Sequence, residues 1–256
     1  MKNTKSYTSK AIDRVVAYID ILGFKNLTDR ALKDNDTILS QVYDALRMMS
    51  ATAMLKNRGP FNGRKLAQFA QATAFSDCIV ISDSNNDLEV GRVISDVAML
   101  ADFLLRDNIL CRGAIATGLT VHDDMVLFGI GVINAYEIES KIAIYPRIVI
   151  QENLIQRATG FLTPKLKRDA DGIWFIDVFG QLHQIDDSPL GLLLYSKPPS
   201  IKPDINAFHR ARDFIIRSLD ETQSDLRQWI KYRWLANQFN EAVNDYIPGK
   251  IEQIAF

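Results

Sequence analysis

Arg14-Val15-Val16-Ala17-Tyr18-Ile19-Asp20-Ile21-Leu22-Gly23-Phe24 is the stretch on which the fold turns. A short apolar run closed by Gly23-Phe24 predicts a buried strand. Asp20 is the residue that does not belong there. A carboxylate inside such a run costs several kcal/mol unless a cation or several donors compensate it. Gly23 stands three positions further on, where a helix is expected to begin. A glycine there lets an anion approach the N–H groups of the helix start. One segment thus offers a carboxylate for a metal and amides for a phosphate.

Working outward, Ile38, Val42, Leu46, Met49 and Ala53 recur at helical spacing and predict an amphipathic helix over 36–56. A Gly- and Pro-containing loop follows at 57–64. Strands are expected at 66–75 and 78–82, on either side of Phe75-Ser76-Asp77. Leu88, Val90, Val93, Ile94, Val97, Leu100 and Leu104 mark a second helix. A strand over 109–120 is broken by Gly113 and Gly118. A short strand at 125–128, a helix at 132–142 and a strand at 147–150 complete the series. This order predicts an α+β fold, an antiparallel or mixed sheet with helices on one face. Its first six elements, β-α-β-β-α-β, match the ferredoxin-like, palm-type topology.

Beyond residue 150, Asp171-Gly172 predicts a hairpin leading into a strand at 173–176. The segment 196–203 holds three prolines and reads as a linker. Helical spacing returns over 204–247 as a pair packed on the core, with Ser224 as a cap for the second helix. The expected organisation is a polar tail (1–12), a principal domain (13–195), a linker (196–203) and a helical extension (204–256).

Composition narrows the function. The chain has 256 residues, 47% hydrophobic and 24% charged, which excludes wholesale disorder. Lys+Arg is 30 and Asp+Glu 31, so no basic surface marks a bulk nucleic-acid binder. Local charges or a metal can still neutralise a phosphate ligand. Cys78 and Cys111 lie in apolar runs and read as core thiols, and the histidines (His122, His183, His209) are scattered, which disfavours zinc. The first ten residues lack an apolar signal core, and no stretch approaches the ~18 apolar residues of a membrane span. The expected location is the cytoplasm.

Asp77 alone is an ordinary turn residue. Paired with Asp20 it says more. In a ferredoxin-like sheet the first strand is expected beside the strand entering the Asp77 hairpin, which brings both acids to one end. Carboxylates that share divalent ions suit triphosphate chemistry, because magnesium and manganese prefer oxygen ligands. Two such ions ~3.5–4 Å apart can hold attacking and leaving oxygens together.

Tyr18-Ile19-Asp20-Ile21-Leu22-Gly23-Phe24 resembles the Phe-x-Asp-Ile-x-Gly-Phe signature of class III nucleotidyl cyclases. Phe75-Ser76-Asp77 falls where that family places its second metal-binding Asp. Arg112-Gly113-Ala114-Ile115-Ala116-Thr117-Gly118 resembles its Arg-x-Gly-Ile-x-x-Gly strand, with the first glycine one place early. Phe128-Gly129 resembles the segment shaping its nucleotide pocket. The resemblance covers roughly residues 13 to 150. The chain departs from the purine cyclases in their helical Asn-x-x-x-Arg. Those positions fall on Ile133 and Glu137, or on Asn134 and Ile138. The adenine-reading Lys and Asp are matched by Thr73 and Val126.

Ala135-Tyr136-Glu137-Ile138-Glu139-Ser140, Tyr145-Pro146-Arg147-Ile148-Val149-Ile150 and the Asp171-Gly172 hairpin resemble segments of the Pycsar pyrimidine cyclases of bacterial anti-phage defence. That resemblance implies cyclisation of UTP or CTP to a 3′,5′-cyclic monophosphate with release of pyrophosphate. It also implies a homodimer with shared active sites, and a separate effector that reads the product. UTP is favoured on this ground alone. On the same basis Asp20, Asp77 and the Ile21 carbonyl would hold two Mg²⁺ or Mn²⁺ ions, and the Gly23 and Phe24 amides would hold phosphate. Thr73 and Val126 would line the base pocket. Arg112 and Arg147 are the candidate cations for the charge on the phosphates. For each, a salt bridge to a core carboxylate such as Glu139 is the competing role. Tyr136 either stacks in the pocket or packs.

Three other readings compete. Gly129-Ile130-Gly131-Val132-Ile133-Asn134 imitates a dinucleotide-binding turn, but its third glycine is Asn134. A degenerate cyclase-homology module would bind nucleotide and regulate a partner. A palm-type transferase making a dinucleotide ranks last, because no Gly-Gly-Asp/Glu-Glu-Phe signature is present.

Overall fold

The computed structural model describes residues 10–33, 37, 39–41, 43–44, 47, 71–123, 125–157, 165–183 and 202–255. The chain forms two compact units, Met1–Ile176 and Asp177–Phe256.

In the first unit, β1 (Ile12–Ile21) leads into α1 (Phe24–Ala31). The described residues between 37 and 47 are helical, in line with the predicted helix. The rest of that helix, the 57–64 loop and the start of the 66–75 strand lie outside the described residues. Then come β2 (Gln71–Phe75), β3 (Cys78–Ser84), α2 (Asp87–Arg106) and β4 (Cys111–His122). β5 (Leu127–Gly129), α3 (Ile130–Lys141), β6 (Ile148–Ile150), β7 (Leu166–Arg168) and β8 (Trp174–Ile176) follow. The sheet runs β2-β3-β1-β4-β6-β8-β7, with β5 paired to β4. Each neighbouring pair among its first four strands is antiparallel, and their order is ferredoxin-like. The β4–β6 pair is parallel, so the whole sheet is mixed.

Two expectations are corrected here. β1 lies beside β3, the strand leaving the Asp77 hairpin, not beside the entering strand β2. In a β-α-β-β unit the hairpin's second strand inserts between the first strand and its crossover partner. Nor are the helices confined to one face. Val16 packs with Val80, Ala116 and Ala135 and with Val132 and Ile138 of α3, while the alternate residues Val15, Ala17 and Ile19 are equally inaccessible. An apolar run without alternation is buried on both faces.

α3 sits flush on β4 because glycines face one another. A Cβ on Gly118 would lie 2.7 Å from the Gly131 nitrogen. The Gly129/Gly131 spacing that imitates a dinucleotide turn therefore serves packing, at a β-hairpin rather than a β-α-β crossover.

The second unit contains α4 (Ile205–Glu221) and α5 (Leu226–Tyr246), the predicted helical pair. Its core joins Phe179, Phe208 and Phe239, with Phe179 edge-on to Phe239 at 5.6 Å. Asp204 caps α4 through the Ala207 amide. Asp225, not Ser224, caps α5, accepting from the Arg227 and Gln228 amides. A carboxylate at a helix start is favoured by the helix dipole as well as by the hydrogen bond. Within 196–203, only Lys202 and Pro203 are described, and Pro203 bridges to His183.

Candidate functional site

The site lies at the end of β1. Sheet register sets Phe75, Cys78, Asp20 and Arg112 in one row across four strands, on one face. The next row holds Thr73, Val80, Tyr18 and Ala114. Asp77 occupies the β2–β3 turn, where Ser76 takes positive φ. Its carbonyl accepts from the Ile21 N–H at 2.9 Å, which ties the turn to the end of β1. The Asp77 and Asp20 side chains are within hydrogen-bonding reach, so the two anomalous acids of the sequence meet. Burial first, then the Asp77 charge, raises the pKa of Asp20, and Arg112 partly opposes the rise.

Arg112 Nε stands 3.4 Å from Asp20 Oδ2 and 2.6 Å from Glu139 Oε1 on α3. Glu139 is buried, and burial raises its pKa against the opposing effect of Arg112. One guanidinium thus faces two carboxylates, and one of them, Asp20, also feels the charge of Asp77. Arg147, the other candidate cation, is committed elsewhere. It bonds Asp169 and Asp171 at 2.5 Å each, is 3% exposed, and stacks on the Tyr145 ring. The structure thereby separates two arginines that the sequence leaves equivalent, and only Arg112 joins Asp20.

Leu22 and Gly23 turn the chain from β1 into α1. Gly23 is the N-cap residue, left-handed at φ +72°, and among the described residues no side chain caps the helix. The first-turn amides, beginning at Phe24, are thus not claimed by a capping side chain. Tyr136 is half exposed and rests edge-on against Tyr18 at 5.5 Å. Asn134 donates to the Thr117 carbonyl and Ile138 lies against the core, so neither register of α3 supplies an Asn-x-x-x-Arg pair. Glu137 pairs with Lys141 on the surface.

Four polar residues near this face carry no local sequence signal. His122 is 2% exposed and sits between Ser82 Oγ, 2.8 Å from Nδ1, and Thr73 Oγ1, 3.0 Å from Nε2. The buried Arg14 donates to Ser82 Oγ at 3.3 Å. Cys78 borders Asp20 and donates to the Phe75 carbonyl. It is a half-buried neighbour of the site, whereas Cys111 is a true core thiol, its pKa pushed up to about 12 by burial.

Among the described residues no group of three or more His, Cys, Asp or Glu side chains has the arrangement of a metal site. The Asp20–Asp77 pair nevertheless fits a hard divalent cation. Both donors are carboxylates, and their mutual repulsion is what such an ion relieves. Among the described residues no helix is long and apolar enough to cross a membrane.

No family model matches the chain, and no curated protein matches it. Among solved structures it is similar to the guanylyl cyclase Cya2, at 12% identity over 66% of this chain and 94% of that one, with a TM-score of 0.40. It is similar to the catalytic core of a rhodopsin-guanylyl cyclase, at 14% identity, 65% and 96% coverage and a TM-score of 0.39. It is also similar to a bacterial light-regulated adenylyl cyclase, at 13% identity, 66% of this chain and a TM-score of 0.41, where it spans 53% of that protein's length.

Proposed function

We propose that the chain is a divalent-cation-dependent nucleotide cyclase acting on a pyrimidine nucleoside triphosphate, UTP ahead of CTP. One observation carries this reading: Asp20, set in an apolar strand, meets Asp77 at the end of the sheet, beside the uncapped start of α1. Asp20, Asp77 and the Ile21 carbonyl would hold Mg²⁺ or Mn²⁺, which supplies charge neutralisation and a lowered pKa for the ribose 3′-hydroxyl. The Gly23 and Phe24 amides bind the phosphates, and their fixed direction orients the chain of phosphoryl groups. Arg112, pivoting between Asp20 and Glu139, supplies positive charge to the phosphates. The 3′-oxygen loses its proton to solvent water and attacks the α-phosphorus in line. The bond to the β-phosphate breaks, and pyrophosphate leaves.

A second copy of the chain completes the proposed enzyme. Leu119, Met125, Phe128, Ile130 and Ile133 expose apolar surface around the β4–β5 hairpin and the first turn of α3, which suits a subunit contact. The cyclic product then acts through a separate effector in antiviral defence, an extension that rests on the sequence resemblance.

Incubation with each of the four NTPs and Mn²⁺, with products read by mass spectrometry, tests the proposal. Cyclic UMP is the expected product. Asp20→Ala should lower its formation at least about 1,000-fold, the scale of several kcal/mol of lost metal stabilisation. Product formation that survives Asp20→Ala overturns the reading. The engagement of Arg112 by two carboxylates and the missing Asn-x-x-x-Arg favour a second reading, a nucleotide-binding regulatory module. Nucleotide binding without turnover would establish it.

A further inference from the structure

The second unit holds a cleft of its own, about 520 Å³ in volume. That lies in the ~300–1,000 Å³ range of small-molecule sites. Ile216 and Leu219 of α4, Leu226 and Trp229 of α5, and Ile254 beyond α5 make its walls apolar. The buried Leu219 and Ile254 form its floor, and the exposed Leu226 its rim. The wall at Ile254 is clamped at two points. The Asn240 side chain accepts from the Ile254 N–H at 2.7 Å and donates to the Ile254 carbonyl at 2.9 Å. The cleft is therefore formed before a ligand arrives, and binding bears little ordering cost.

Its charge is one-sided. Asp220 and Gln223 are the polar side chains of the lining, and among the described residues no Lys, Arg or His joins them. Asp220 accepts from Gln223 Nε2 at 3.5 Å, and among the described residues no cation pairs with it. It also stands in the last turn of α4, where a helix carries partial negative charge and where this one has no basic residue. An acid there is unfavourable by itself, and a bound cation turns the interaction attractive. The opposite charge at the start of α5 is already answered by Asp225, which accepts from the Arg227 and Gln228 amides. Trp229 adds an aromatic ring. Arg233 lies 5.1 Å from its centroid, so the indole that lines the cleft already serves one cation. We propose that this cleft is a binding site for a small organic cation, an ammonium group carried on an alkyl or aryl body. The ammonium sits between Asp220, the end of α4 and the indole, and the body lies against Leu219, Leu226 and Ile254. The same charge turns away phosphate esters, so neither a nucleoside triphosphate nor a cyclic nucleotide suits the cleft. This inference stands apart from the cyclase reading, and its test needs no turnover.

Hexylammonium, hexanol and hexanoate share one body and differ in charge. The full chain is titrated with each by calorimetry at low salt, with tryptophan fluorescence as a second readout. Hexylammonium is expected to bind saturably and about tenfold more tightly than hexanol, and hexanoate not to bind. Asp220→Asn changes an exposed residue and keeps its shape. It should weaken hexylammonium about three- to fivefold, the scale of one partly screened ion pair, and leave hexanol unchanged. High salt should narrow the wild-type preference more than the variant's. Ala255→Phe, also at an exposed position of the lining, fills the cleft and should weaken both. Absent saturable binding of hexylammonium, equal binding of hexanol or hexanoate, or an unchanged hexylammonium affinity in Asp220→Asn overturns the inference. So does self-association in wild type that Ala255→Phe removes, which would assign the cleft to a second copy of the chain.

Discussion

Arg112 lies on β4 and Arg147 just before the neighbouring β6, and each faces two carboxylates. Their surroundings differ in a way that separates architecture from chemistry. Arg147 is sealed between Asp169 and Asp171 on the β7–β8 hairpin. Arg112 keeps about a quarter of its side chain exposed and touches Asp20, which is itself crowded by Asp77. A buried cation matched by two anions is a finished structural unit. A partly exposed one shared between two anions, one of them crowded by a third, is short of positive charge and has room for a ligand that brings it.

The contrast breaks if the two arginines weigh alike on stability. Arg147→Met should lower the unfolding free energy by about 3–5 kcal/mol, because Asp169 and Asp171 are left facing each other without their cation. Arg112→Met should cost less, about 1–3 kcal/mol, since Glu139, its pKa already raised by burial, can take up a proton. Activity should order the other way, with Arg112→Met the more damaging. Urea titrations and kcat/KM of the two variants decide it. Equal stability losses would make Arg112 a structural residue too.

A pH series sharpens the comparison by adding a buried group that carries no charge. His122 is faced by Arg14 from β1, Ser82 from β3 and Thr73 from β2, with Asp123 next in its own chain. Its folded pKa is depressed from 6.5 to about 4. The unfolded chain therefore binds the proton more readily. Stability is full above about pH 6.5 and falls as pH drops toward 4, by at most about 3 kcal/mol. Denaturation midpoints from pH 7.5 to 4 should show that fall in wild type, and His122→Gln should flatten it. A wild-type curve already flat over that window would mean that the imidazole is not held neutral.

How far such features can be read from sequence depends on what signals them. Asp20 was legible because an acid inside an apolar run breaks a local rule, and Asp77 because it stands at a turn between two strands. The order of elements along the chain followed from their alternation, whereas the place of β1 beside β3 rather than β2 did not. The roles of Arg112 and Arg147 were not legible, since their carboxylates lie on a helix and a hairpin many residues away. His122 was less so. Its partners Thr73 and Ser82 are 49 and 40 residues distant, and nothing in a lone histidine foretells them. Local anomaly marks a site, whereas the direction of a hydrogen bond needs the tertiary structure.

The smallest effect probes how Arg112 is held at all. Glu139 reaches it from α3, and α3 is seated by Gly131. A Cβ there would lie 2.5 Å from Thr120 Oγ1 and 2.9 Å from Val16 Cγ2. In an unconstrained helix, Gly→Ala stabilises by about 1 kcal/mol. Overpacking costs about 1–3 kcal/mol, so Gly131→Ala should come out destabilised by roughly 1 kcal/mol. The forced shift of α3 should carry Glu139 away from Arg112, while Arg147, held by the β7–β8 hairpin, stays in place. The kcat/KM loss should therefore exceed what the stability loss alone implies. A stabilised Gly131→Ala protein would show that the helix has room to move, and that Arg112 is positioned by Asp20 rather than by Glu139.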